Sequence, residues 1–103
     1  MIVVNVIKKG SKFVEMAISG HSGYSEKGSD IVCSAVSSAV YVSVMLIKKI
    51  TKDYVFESNE EKAYMKIKVT NSSDMTDLIL ENLLEHLKVI SSDYAGFIEI
   101  YVN

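Results

Sequence analysis

Between Ile31 and Ile47 the chain runs seventeen residues without a charge and then meets Lys48-Lys49. An uncharged stretch of this length is either a membrane span or a helix whose apolar face is covered by the rest of the protein. A bilayer needs about 20 strongly apolar residues. This run is broken by Ser34, Ser37, Ser38 and Ser43 and is flanked by short strand-like segments. It therefore reads as a central helix packed on a sheet, and no membrane partner is expected. Asp30 is a good N-cap for it, and the pattern carries it to about Ile50. Valine and isoleucine lower its intrinsic propensity, so packing has to hold it.

The flanking segments supply the sheet. Met1 to Lys8 is rich in β-branched residues, Lys9-Gly10-Ser11 signals a turn, and Lys12 to Ile18 alternates, which predicts a β-hairpin. A polar, glycine-punctuated loop covers Ser19 to Ser29, with Tyr24, Ser25, Glu26 and Lys27 expected to be solvated and mobile. Beyond the central helix, Tyr54-Val55-Phe56 and Ala63 to Val69 form a second strand pair around the acidic turn Ser58-Asn59-Glu60-Glu61. Alternating lysines in the latter strand predict one solvated face. Ser73 caps a second helix reaching about Ser91. Asp74 and Asp77 sit near its positive end, and Ile79, Leu80, Leu83, Leu84, Leu87 and Ile90 form its buried stripe. Phe97 to Val102 is a last strand. The order ββαββαβ predicts an α/β two-layer sandwich with a mostly antiparallel or mixed sheet and two helices on one face. It forms a single domain over residues 1–103.

Composition bounds the partners. All 11 basic residues are lysine, against 13 acidic, for a net charge of −2. With no arginine to fork onto phosphate or guanine, nucleic acid is not expected as a direct partner. One cysteine and no leader pattern predict a reduced, cytoplasmic protein. A chain this short buries only about 60–70% of its unfolded surface, which favours pairing into a homodimer.

The chemistry gathers between Gly20 and Ser38, which hold the lone Cys33, His21, Gly20, Gly23 and Gly28. Cys33 falls in the first turn of the central helix, where free amides and the helix dipole favour a negative charge. Flanked by Val32 and Ala35, it also fits the commoner role of a small buried hydrophobe. His21, carried back by the glycine loop, would supply an imidazole to take the thiol proton and return it to a leaving amine. Alone, it reads as a solvated loop histidine. Asp30 either caps the helix through the amides of Val32 and Cys33 or orients His21, and capping is the stronger preference. If it caps, the Cys33 amide is not free for an oxyanion. The glycines suit a substrate-receiving loop or a plain flexible connection. Ser37, one turn beyond Cys33, either supports the site or packs. His86 reads as a boundary residue of the second helix. There is no Cys-x-x-Cys, no arginine for a phosphatase loop and no metal-ligand spacing, so neither metal nor cofactor is expected. Acyl transfer remains.

Taken together, Gly20-His21, Gly28, Asp30-Ile31-Val32-Cys33 and Ala35-Val36-Ser37 resemble the signature of the bacterial ribosomal-processing cysteine protease family, as do the length, the starting hairpin and the element order. The resemblance implies a cytoplasmic, homodimeric endopeptidase that removes an N-terminal extension from the precursor of large-subunit ribosomal protein number twenty-seven. It implies Cys33 as nucleophile, His21 as proton-transfer partner, and supporting places for Asp30 and Ser37. Ser22 and Ser34 depart from the alanine common in the family, though both remain small. Two other functions fit the residues: a non-catalytic ribosome-associated module that grips a protein with its glycine loop, and a thiol hydrolase or acyltransferase for a small molecule.

Overall fold

A computed structural model describes residues 1–26 and 30–103. The opening hairpin pairs β1 (Ile2–Lys9) with β2 (Lys12–Ser19) around Gly10, whose φ of +63° suits a residue without a side chain. Ile2, Val4 and Val6 alternate inward, as the β-branched run predicts. The register shifts between Ile7 and Lys8, so that Lys8 faces Phe13. At this irregularity the Phe13 N–H donates to Asp77 Oδ1 at 2.9 Å. Asp77 thus also holds a helix onto the hairpin, a job that the helix-dipole reading did not foresee.

The second hairpin joins β3 (Tyr54–Asn59) to β4 (Tyr64–Val69), and β5 (Ile98–Val102) closes the chain. The five strands lie in the order β3-β4-β2-β1-β5, with β5 parallel to β1 and the other pairs antiparallel. The sheet is therefore mixed. On β4, Ile67 is buried while Lys66 turns to the opposite face, about 4 Å from Glu15 and Glu57. That is the solvated face the lysine alternation predicts.

Both helices cover the other face. In α1 (Ile31–Ile50) Val32, Val36, Val40, Val44 and Ile47 recur at helical spacing and are buried. The helix is long and apolar enough to cross a membrane, but this stripe is core, packed with sheet residues such as Val4 and Met16. In α2 (Asp74–Asp93) the Ser73 Oγ accepts from the Thr76 N–H, and the Ser73 N–H donates to Thr76 Oγ1, a capping box. All six residues expected on its inner stripe are buried. The α/β two-layer arrangement in ββαββαβ order matches the expectation from sequence.

Candidate active site

Gly20 directly follows β2 and lies against the start of the chain. Its φ is +92°, and a Cβ there would lie 2.4 Å from the Met1 carbonyl oxygen, so only glycine fits this approach. The Gly20 N–H donates to the carbonyl of Ala63 at 2.9 Å. Ala63 itself is left-handed, with φ +48°, which is unfavourable for a residue with a side chain. The β3–β4 turn is thereby tied to the residue that precedes His21.

These ties frame a groove of about 370 Å³. Cys33, His21, Ser37 and Gly20 all line it. Cys33 is half-buried, and His21 is exposed. Apolar walls come from Ile2, Ile18, Val36, Tyr41 and Met65; at one side stand Ser58 and Asn59, which end β3 rather than belonging to the expected acidic turn because they pair with Met65 and Tyr64, and Glu60 of the turn itself. The two hairpins thus supply much of a site whose chemical groups lie elsewhere. No run of residues advertises that contribution, because the wall is assembled from strand ends distant in sequence.

Asp30 stands behind the groove rather than in it. Its Oδ1 accepts from the amides of Val32 and Cys33, each at 3.0 Å, so it caps α1, the favoured of its two readings. The Cys33 amide is accordingly engaged. The other oxygen, Oδ2, accepts from the hydroxyl of Ser22. Burial alone would raise the Asp30 pKa. The hydrogen bonds from the Ser22 hydroxyl, then from the Cys33 and Ser25 amides and the Cys33 thiol, together outweigh it and hold this carboxyl below its ordinary value.

Ser22 is the residue that sequence reasoning undervalued. It is only 4% exposed. Besides donating to Asp30, its hydroxyl accepts from the Tyr24 N–H at 3.1 Å, and its own N–H points at Cys33 Sγ at 3.4 Å. A serine beside a glycine in a polar loop carries no signal of such a place. Tyr24 adds contacts that the solvated-loop expectation did not include. It is 43% exposed, as a solvated segment requires, but its ring also packs edge-on against Tyr94 and Phe97, with ring centroids 5.5 and 5.2 Å apart. Gly23 takes a φ of +74° but is not part of the groove wall. Gly28 and Lys27 lie outside the described residues. Among the described residues no cluster of side chains suited to a metal ion is found.

Known proteins place this frame in a class. The chain is a cysteine protease, and it belongs to the family described as Cysteine protease Prp, whose model matches residues 1–99. It is 30% identical over 98 residues to the ribosomal processing cysteine protease Prp of Staphylococcus aureus strain Mu50, covering 91% of this chain and 92% of that one. A crystal structure of an essential ribosomal processing protease Prp from S. aureus, in complex with a covalently linked product peptide, superposes over the full length of both chains, with a TM-score of 0.92 and 25% identity. A Streptococcus mutans structure at 23% identity shares the fold over 99% of this chain and 93% of its own, with a TM-score of 0.85.

Proposed function

We propose that this chain removes the N-terminal extension of the precursor of large-subunit ribosomal protein number twenty-seven, in the cytoplasm, with Cys33 as nucleophile and His21 as its proton-transfer partner. The observation that carries this reading is the presence of both side chains in the wall of one groove, in a chain belonging to a cysteine protease family. The S. aureus relative named for ribosomal processing supports the substrate class, and its covalently linked product peptide supports a covalent intermediate.

The extension binds in extended form along the groove, whose apolar walls accept apolar side chains. The imidazole of His21 takes the Cys33 proton, and the thiolate attacks the scissile carbonyl carbon, forming a C–S bond. The C–N bond then breaks as the imidazolium gives its proton to the departing amine, leaving a thioester. Water, losing a proton to the imidazole, attacks the thioester. The new carboxyl group leaves, and the thiol recovers its proton. Gly20 and Gly23 shape the loop that receives the peptide, Asp30 holds the helix start, and Ser37 supports the thiol side of the groove. Gly28 belongs to the same proposed loop.

A second copy completes the assembly in this reading. The outward face of the helix layer exposes Val42, Met45, Leu78 and Val89, which is apolar surface available for a homodimer.

The direct test incubates the purified chain with the extended ribosomal protein and reads the new N-terminus by mass spectrometry. Cleavage is expected, and Cys33→Ser should abolish it with the melting temperature nearly unchanged. If neither version cleaves although both bind the precursor, the non-catalytic binding reading replaces this one.

A further inference from the structure

The peptidase reading leaves open what holds an exposed-loop imidazole and a helix-borne thiol in register. The described contacts converge on one residue between them. Ser22 follows His21 directly, is buried, and contacts both the cap of α1 and the thiol that the cap precedes. Its hydroxyl has a single proton, which goes to Asp30 Oδ2, while its oxygen accepts the Tyr24 N–H. Asp30 in turn is fixed by the two helix amides that it caps. The hydroxyl therefore references the loop to the first turn of α1, the turn that carries Cys33.

The consequence falls on the Ser22 N–H. A sulfur that takes on negative charge as it attacks is a better hydrogen-bond acceptor than a resting thiol, so an amide held at 3.4 Å from Sγ is placed to orient the nucleophile as it reacts. The amide of Cys33 itself is spent on Asp30. We propose that Ser22 is a positioning residue for the thiol chemistry: its hydroxyl, bonded to Asp30, keeps its main-chain N–H aimed at Cys33 Sγ and the adjoining His21 on the groove. This deepens the peptidase reading and rests on it for turnover, but its effect on the thiol is measurable without any substrate.

Ser22→Ala keeps the amide and the small volume and deletes only the hydroxyl, whereas Ser22→Thr keeps a hydroxyl. Alkylation of Cys33 by iodoacetamide at neutral pH, followed by mass spectrometry well below the melting temperature of each variant, reads the thiol alone. The alanine variant should alkylate about fivefold more slowly, and threonine should recover most of the rate. With the precursor protein as substrate, kcat should fall about tenfold in the alanine variant while KM stays within about twofold, the pattern of a lost alignment rather than lost binding. Alkylation and kcat both within twofold of the parent in Ser22→Ala overturn the proposal, as does a threonine variant as impaired as alanine. A parent that alkylates and cleaves nothing instead overturns the peptidase reading, and the alkylation ratio still decides the role of Ser22.

Discussion

Asp30 joins three parts of the molecule at the scale of single atoms: the helix start, the thiol turn and the loop. Replacing it with alanine removes an N-cap and strands the Ser22 hydroxyl, which should cost about 2–3 kcal/mol in a denaturant titration. Its acid response has a definite sign. The folded carboxyl ionises below its ordinary value, because the hydrogen bonds it receives outweigh burial. The stability it contributes is thus complete above the unfolded pKa and is lost as the pH falls through the folded one. Asp30→Asn keeps the capping oxygen without the titration, so below pH of about 4 its melting temperature should fall less steeply than the parent's. Gly20 gives a second residue-scale test. A methyl group there would press on the Met1 carbonyl at a left-handed φ, so Gly20→Ala should lose about 2 kcal/mol or more, a drop of roughly 10 °C in melting temperature for a chain this size. Gly23 is also left-handed but has open space around its Cβ position, so Gly23→Ala should lose only about 1 kcal/mol. Sequence could place Cys33, His21 and Asp30 near one another because helix-cap chemistry and the loop glycines are local signals. It could not rank Gly20 above Gly23, since the atom that excludes a side chain at Gly20 belongs to residue 1.

The loop between β2 and α1 marks where local pattern stopped informing on structure. Its composition is that of a solvated connection, and Tyr24 is exposed as that implies, but the packing of its ring was not legible. Its ring partners, Tyr94 and Phe97, come from the connection between α2 and β5, and such distant contacts leave no trace in a window of residues. Edge-on aromatic pairs contribute about 0.5–1.5 kcal/mol each beyond the area they bury. Tyr24→Ala should therefore lower stability by about 1–2 kcal/mol and speed limited proteolysis between residues 20 and 30, with the helices protected as before. An unchanged cleavage rate would show that the Tyr24 ring contacts do not hold the loop. By contrast, both helices were legible in full. Their 3.6-residue stripes and caps are written within each segment, and the buried residues of α2 are those the stripe names together with Thr76 of the capping box.

Element order follows from local signals, but the strand arrangement does not. Placing β5 beside β1, in parallel, is a pairing between the two ends of the chain, and alternation within either strand is compatible with several neighbours. The outer helix face presents the same problem at larger scale, because its residues must be judged by what they leave uncovered. Val42 and Met45 on α1 are 62% and 61% exposed, and Leu78 on α2 is 61% exposed. Val42 lines a second groove with Ala39 of its own helix and with Asn82 and His86 of α2. Leu78 and Val89 lie one turn to either side of Asn82 and His86 on that helix, so the apolar positions extend the groove along its length. Small side chains at its floor, Ala35, Ser38 and Ala39, let another helix approach closely. A chain of this length gains from burying such a face, since its own core covers only about 60–70% of the unfolded surface. Under the homodimer proposal the parent should sediment at twice its 11.4 kDa mass, and Val42→Glu with Leu78→Lys should sediment at 11.4 kDa. Neither side chain belongs to the core or to the groove at Cys33, so circular dichroism of the double variant should be unchanged while its melting temperature loses its dependence on protein concentration. A parent that sediments as a monomer at micromolar concentration would remove the second copy from the mechanism and leave the groove of a single chain to do the cleavage.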